Sequence, residues 1–286
     1  MSHYYIKGEK GTGQRWTPVK KDGTLYKKIT KKMAEEAGAR IGITTQIKNH
    51  MDTEFLFGWA GKMGIQAGIK AVTAQVAGLF GASAANSLKN AAETTLKASQ
   101  AIFKTSTTAA AKRGTAIHDA IETYIKSQLL SEDFATAQKE VAAWIEKTIG
   151  DSTMKAEHCV FFDGGITLED GRVLRIANGA TADLITRKVL ADWKTVEMSG
   201  GKYYTGKPDH CAQLAFCRHG GVQAGLCNPD ADCYNVYIDR VSGKIVDIKH
   251  WTGAELDKGL EFVGWAWECS AALERLEAEM KWGVVI

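Results

Sequence analysis

Apolar positions along this chain change their rhythm at Gly150-Asp151. Before that point they recur at helical spacing. Ile117, Ile121, Tyr124 and Ile125 make a stripe that predicts a helix over Ala116–Leu129, and Val141, Trp144 and Ile145 predict another over about Asp133–Thr148. Upstream, Phe55, Leu56, Trp59, Met63 and Ile65 predict a helix from about Asp52 to Val72, weakened by Gly58, Gly61, Gly64 and Gly68. The Ala-rich stretch Thr73–Thr108 predicts one or two helices with a weak apolar face. Ile41–Thr45 is a brief β-branched run, and Thr44 or Thr45 is placed to cap the helix after it.

Past Gly150-Asp151 the pattern alternates. Cys159–Phe162, Arg172–Ile176, Thr181–Ile185 and Val189–Trp193 read as strands, with turns at Asp170-Gly171 and Asn178-Gly179. A polar loop over Glu197–Pro208 leads into a helix from about Asp209 to His219. Tyr234–Asp239 and Lys244–His250 form a hairpin around Ser242-Gly243, and an amphipathic helix over Ala254–Met280 closes the chain. The first forty residues are polar, basic and glycine-rich, with a turn signal at Asp22-Gly23.

The stretch Ala182–Thr195 places chemistry on this frame. Arg187-Lys188 is a polar turn between two apolar strands. In a two-residue hairpin Asp183 faces Asp192, and a four-residue loop over Thr186–Val189 keeps that pairing. Like charges so placed repel. Strand side chains alternate faces, so Lys194 joins Asp192 on one face. A divalent cation makes such a cluster tolerable. Hard cations such as magnesium take oxygen ligands, and the backbone carbonyl of Trp193 adds one to the two carboxylates. Such a site suits phosphodiester hydrolysis. The plainer reading, a solvated hairpin face, stays open on these residues alone. The ring of Trp193 points to the opposite strand face and is expected in the core.

Composition changes the picture at one end only. The net charge is +3, but residues 1–32 carry nine Lys/Arg against Glu9 and Asp22, about +7, which leaves about −4 for the rest. A basic arm on a near-neutral body fits a nucleic-acid partner, although a merely soluble lysine-rich terminus reads equally well. Lys7, Glu9 and Lys10 interrupt the N-terminus before any apolar run, and Ala71–Ala85 has too few bulky apolar residues to span a bilayer. The protein is therefore expected inside the cell. Cys211, Cys217, Cys227 and Cys233 offer thiols for zinc or an iron–sulfur cluster, but their spacings match no common pattern.

Gly179-Ala180-Thr181-Ala182-Asp183 followed by Asp192-Trp193-Lys194-Thr195 resembles the core of the PD-(D/E)XK nucleases, in the RecB-like exonuclease branch. Gly114-Thr115-Ala116-Ile117-His118 is similar to that branch's helical Gly-Thr-x-x-His element, and Gln213-Leu214-Ala215 to its Gln-Leu helix. Ile43-Thr44-Thr45 and Phe55-Leu56-x-x-Trp59-Ala60 resemble the lead-in of phage members. The resemblance spans roughly residues 41–220.

It implies an α/β fold: a restriction-endonuclease-like core with a mixed sheet flanked by helices, and a mostly helical N-terminal elaboration. Residues 1–110 would form the basic arm and elaboration, and 111–286 the nuclease core with its C-terminal hairpin and helix. Asp183 and Asp192 match the metal-binding acids, Lys194 the catalytic lysine, His118 the histidine of the metal shell and Gln213 the positioning glutamine. Glu157, at the start of the first core strand, is a second-rank acid with an exposed strand glutamate as its alternative. Implied cofactors are one or two magnesium or manganese ions. No iron–sulfur cluster is expected, because cluster-bearing members place a cysteine ahead of the histidine motif and none precedes Cys159 here.

The implied activity is DNA hydrolysis, by an exonuclease in DNA processing or recombination. A structure-specific endonuclease and a catalytically silent DNA-binding relative are the alternatives. DNA contacts are expected from Lys202, Tyr203, Tyr204 and Lys207, since exposed aromatics stack on unpaired bases, and from Lys112 and Arg113. Beyond DNA, the expected partners are a second copy of the chain or a phage recombination protein. The expected setting is the cytoplasm of a bacterium or phage-infected host, with no membrane involved. Two departures stand out: Cys217 and His210 occupy positions where the branch usually has tyrosine.

Overall fold

A computed structural model describes residues 3–8, 12–20, 23–26, 29–51, 70, 72–75, 77, 82–150 and 154–282. They divide into two compact units, one of Met1–Met51 with Ala116–Ile286 and one of Asp52–Thr115. The helix expected over about residues 52–72, with its Phe55, Leu56 and Trp59, falls almost wholly outside the described residues. What is described of the second unit is helical, Ala-rich and largely exposed.

The first unit is mixed α/β. It opens with strands β1 (Tyr4–Lys7) and β2 (Gly13–Arg15), a short helix α1 (Lys31–Glu36), strand β3 (Arg40–Ile41) and helix α2 (Ile43–Met51). Strands β2, β1 and β3 form a small antiparallel sheet. Asp22 of the expected turn lies outside the described residues, and the Gly23 N–H donates to the Lys20 carbonyl at 3.0 Å. Thr44 and Thr45 do not cap: α2 begins at Ile43, and both threonines lie within its first turn. The reason is that Gly42 O already accepts from Thr45 and Gln46 N–H at 3.0 and 3.2 Å.

Next comes α3 (Ala82–Ser127), which belongs to the first unit from Ala116 onward. The helix expected over Ala116–Leu129 is therefore the end of a longer one, and Lys112-Arg113-Gly114-Thr115 is helical rather than a lead-in. Helix α4 (Ala135–Thr148) follows, with Val141, Trp144 and Ile145 buried as its stripe predicts.

The main sheet has five strands in the order β4 (Lys155–Thr167), β5 (Val173–Ile185), β6 (Val189–Val196), β7 (Asp232–Asp239) and β8 (Ile245–Trp251). Only the β6–β7 pair is parallel. Between those two strands runs α5 (Pro208–Gln223), and the chain ends on α6 (Gly253–Trp282). Helices α2, α5 and α6 pack on one face with Val160, Phe162, Ala180 and Leu190. Ile117 and Ile121 of α3 and the stripe of α4 pack on the other with Leu184, Trp193 and Val236. Seven consecutive residues of α5, Cys211–Cys217, are buried, so this helix is enclosed rather than half-solvated.

One predicted turn is absent. Asn178-Gly179 lies inside β5, paired with Phe162 and Phe161. Gly179 is there for space: a Cβ on it would sit 2.4 Å from Tyr5 Cβ. Asn178 is fully buried and turns its amide to Gln46 of α2 at 2.6 Å. Two short strands with a turn are thus one long strand.

Candidate functional site

Three acids stand in a row across β4, β5 and β6. The register that pairs Ala156 with Leu184 and His158 with Ala182 sets Glu157 across from Asp183. The register that pairs Leu184 with Ala191 sets Asp183 across from Asp192, as the hairpin argument requires. The sheet is irregular at this row. Glu157 has a left-handed backbone with φ 48°, a conformation that costs a non-glycine residue on the order of 1–2 kcal/mol. Ala182 and Ile185 pack on one sheet face while Leu184 packs on the other, so the alternation slips at Asp183.

Each carboxylate has its own set of donors. Asp183 Oδ2 accepts the Trp193 backbone N–H at 2.6 Å and lies 3.5 Å from His118 Nδ1. The neighbouring Ile117 and Ile121, both buried, seat that turn of α3 against the sheet. Asp192 accepts from three side chains: Gln213 Nε2 at 3.0 Å on one oxygen, Asn235 Nδ2 at 2.9 Å and Lys194 Nζ at 2.6 Å on the other. Lys194 also donates to Gln213 Oε1 at 2.9 Å, which closes a triangle. The Trp251 indole N–H can only donate, and it meets Asn235 Oδ1 at 2.7 Å. That bond turns the Asn235 amide nitrogen toward Asp192.

The protonation states follow from this crowding. Burial, and then the neighbouring Asp183 carboxylate, push Glu157 up to about 7. Burial likewise pushes Asp192 up to about 6, against the pull of Lys194. Asp183 goes the other way. Burial would raise it, but His118, Lys194 and the Trp193 N–H together hold it below the usual carboxylate range. His118 is raised, since Asp183 outweighs the burial that would lower it. Lys194 is raised by Asp192 and Asp183 in spite of burial, so it remains an ammonium.

Next to the row is a cleft of about 340 Å³ lined by His118, Lys194 and Gln213 with Thr44, Lys207, Asp209 and His210, while the three acids themselves lie behind this lining. Trp193 also borders it, through its main chain. Its ring is 2% exposed and meets Trp144 edge-on at 5.6 Å. His210 Nδ1 is 2.9 Å from the Tyr237 hydroxyl, which itself accepts the Gly206 N–H at 2.8 Å. Of the other expected DNA contacts, Lys202 and Tyr204 are exposed on the loop before α5, and the Tyr203 hydroxyl donates to Asp239 at 3.1 Å. Lys112 and Arg113 are exposed residues of the second unit. Three thiols are pushed up by burial, Cys211 and Cys227 to about 11 and Cys233 to about 12, and Cys217 is raised well above its ordinary value.

Sequence reasoning missed Asn235, Trp251 and Arg15. A buried asparagine in the apolar strand Tyr234–Asp239 was the available signal for the first. Nothing local marks Arg15, whose guanidinium arrives from β2 to lie 3.8 Å from Glu157.

Among the described residues no three His, Cys, Asp or Glu side chains converge as ready metal ligands. The donor chemistry nonetheless fits a hard divalent cation. Asp183, Asp192 and Glu157 supply oxygen ligands, and burial raises both Asp192 and Glu157, a penalty on their charged forms that a bound cation would offset.

No family model and no curated protein matches the chain. A solved structure described as "Crystal structure of SSO0001" aligns at 17% identity over 43% of this chain and 54% of that one, with a TM-score of 0.25. The alignment thus spans about half of that chain, and a likeness at this TM-score bears on neither fold nor function. No helix of the described residues is long and apolar enough to cross a membrane.

Proposed function

We propose that this chain is a divalent-metal-dependent deoxyribonuclease with a PD-(D/E)XK core, acting as an exonuclease. What carries the reading is the closed triangle of Lys194, Asp192 and Gln213 beside the Asp183–His118 pair, from which Lys194, Gln213 and His118 line an open cleft. A bound magnesium or manganese ion would be held by Asp183 and Asp192, with His118, the Trp193 carbonyl and Glu157 beside them, and would act as a Lewis acid at a phosphoryl oxygen.

The chain's own groups do the rest. Lys194 stays protonated, so it serves as a donor toward the negative charge that develops on the phosphate and not as a base. Gln213 holds that ammonium with its oxygen and the Asp192 carboxylate with its nitrogen, fixing the distance between them. Asn235 keeps Asp192 from turning away. Lys207 and His210, which line the cleft together with Asp209, would meet the flanking phosphates.

Linear and covalently closed DNA, incubated with magnesium, manganese or EDTA, test the reading. Loss of linear strands that stops in EDTA is the expected result. Cutting of closed circles would move the assignment to an endonuclease. No cleavage with either metal would leave the silent DNA-binding relative.

A further inference from the structure

A buried phenol behind the cleft wall fixes the form of one residue on that wall. Tyr237 of β7 is fully buried, and its register partner on β6 is Lys194. Paired residues of neighbouring strands share a sheet face, so the ring points the way the Lys194 side chain does. It reaches the corner where the loop after β6 turns into α5. There the Tyr237 oxygen accepts the Gly206 N–H at 2.8 Å and the backbone N–H of Lys207 as well. Two N–H groups occupy both lone pairs of a hydroxyl oxygen. His210, in the first turn of α5, brings Nδ1 to the same oxygen at 2.9 Å. Only the hydroxyl proton is left for that contact, so Tyr237 donates and Nδ1 accepts. The phenol keeps the proton this needs, since burial pushes it up to about 12.

A neutral imidazole carries one proton, and with Nδ1 accepting it sits on Nε2. Asp209 favours the same placement. Its Oδ2 lies 3.9 Å from Nε2, beyond hydrogen-bond reach but near enough to attract a proton. His210 lines the cleft beside Lys207 and Asp209, and with Nδ1 committed to the buried phenol it has Nε2–H to offer there. In this tautomer the ring is a donor and cannot serve as a base through Nε2.

We propose that His210 donates its Nε2–H to a phosphate oxygen of the strand in the cleft, and that Tyr237 is the positioning residue that keeps the proton on that nitrogen. The inference rests on the nuclease reading for the identity of the strand. It separates two tasks on one wall. The ammonium groups of Lys194 and Lys207 attract a polyanion from any direction, whereas a single directed N–H sets where a phosphate stops.

Nitrogen-15 spectra of the full chain without DNA, in alkaline buffer where imidazole is neutral, read the tautomer directly. The His210 signals are identified by their loss in His210→Asn. The expected result is a bare Nδ1 and a protonated Nε2, and a ring that no longer holds that single form in Tyr237→Phe. The reverse tautomer in the parent protein, or a spectrum unchanged by Tyr237→Phe, would overturn the role of Tyr237. Anisotropy titration of a short single-stranded oligonucleotide in EDTA reads the donor. His210→Gln puts an amide N–H where Nε2 was and should keep the affinity. His210→Asn replaces Nδ1 but falls short of the cleft, and should bind about tenfold more weakly. Equal affinities for the two variants would reduce His210 to a structural partner of Tyr237 and overturn the contact. Absence of binding by the parent protein would overturn it too, while the nuclease reading keeps its separate readout in cleavage under magnesium.

Discussion

The two edges of β5 are held in different ways. Against β4 the ladder runs from Lys155–Ile185 to Thr167–Val173, interrupted at Glu157. Against β6 only Leu184–Ala191 and Ile185–Leu190 pair before the strands part. A buried N–H must find an acceptor, and where the seam opens the Trp193 N–H finds the Asp183 carboxylate. The closed seam is scaffold, with its Gly179 pressed against Tyr5 and its Asn178 bonded to α2. The open seam exchanges sheet hydrogen bonds for side-chain acceptors. That exchange fixes the Asp183 carboxylate in place without help from a loop.

Changes at the open seam should therefore remove activity and spare the fold, and changes at the closed seam should do the reverse. The largest effect is expected from Lys194→Ala. Single-turnover cleavage should fall by about a thousandfold or more, while strand binding in EDTA holds. Retained cleavage would take Lys194 out of the mechanism. Asn235→Leu comes next. It strips one donor from Asp192 and should cost ten- to a hundredfold in magnesium affinity or activity, read from the metal concentration at half-maximal rate.

The same contrast explains what the sequence made legible. The hairpin register was readable because Arg187-Lys188 leaves few ways to pair two apolar strands, and the observed Leu184–Ala191 pair is the one the turn dictates. Lys194 followed from alternation, and its 2.6 Å contact with Asp192 agrees. Asn178-Gly179 misled because the pair has the chemistry of a turn, while its actual cause, a tyrosine ring from the N-terminal strand, is far away in sequence. Arg15 was invisible for the same reason, since it acts on a residue brought near only by the sheet. The helix boundary at Ala116 failed differently. Gly114 is tolerated within a helix at a cost of about 1 kcal/mol, so local pattern could not tell an interruption from a continuation.

On the closed seam, Gly179→Ala should destabilise the protein by about 1–3 kcal/mol, because the new methyl would meet Tyr5 Cβ and Cγ at 2.4 and 2.5 Å. Denaturant unfolding measures this. The cleavage rate per folded molecule should be unchanged. A variant of normal stability would show that Tyr5 can move, and one that folds normally but does not cut would join this seam to the chemistry.

The smallest effect expected lies where the two seams share a residue row. Glu157 is held at about 7 in the folded chain against an ordinary 4.5. A raised carboxyl binds its proton more tightly when folded. Its stabilising contribution is thus complete below 4.5 and disappears as pH rises through 7. In EDTA, the parent protein should lose on the order of 1–2 kcal/mol across that window relative to Glu157→Gln, which cannot titrate. Unfolding curves for both proteins at the two ends of the window measure the difference. If it stays flat, Glu157 does not share its proton with Asp183, and the row of acids shrinks to the two aspartates of the open seam.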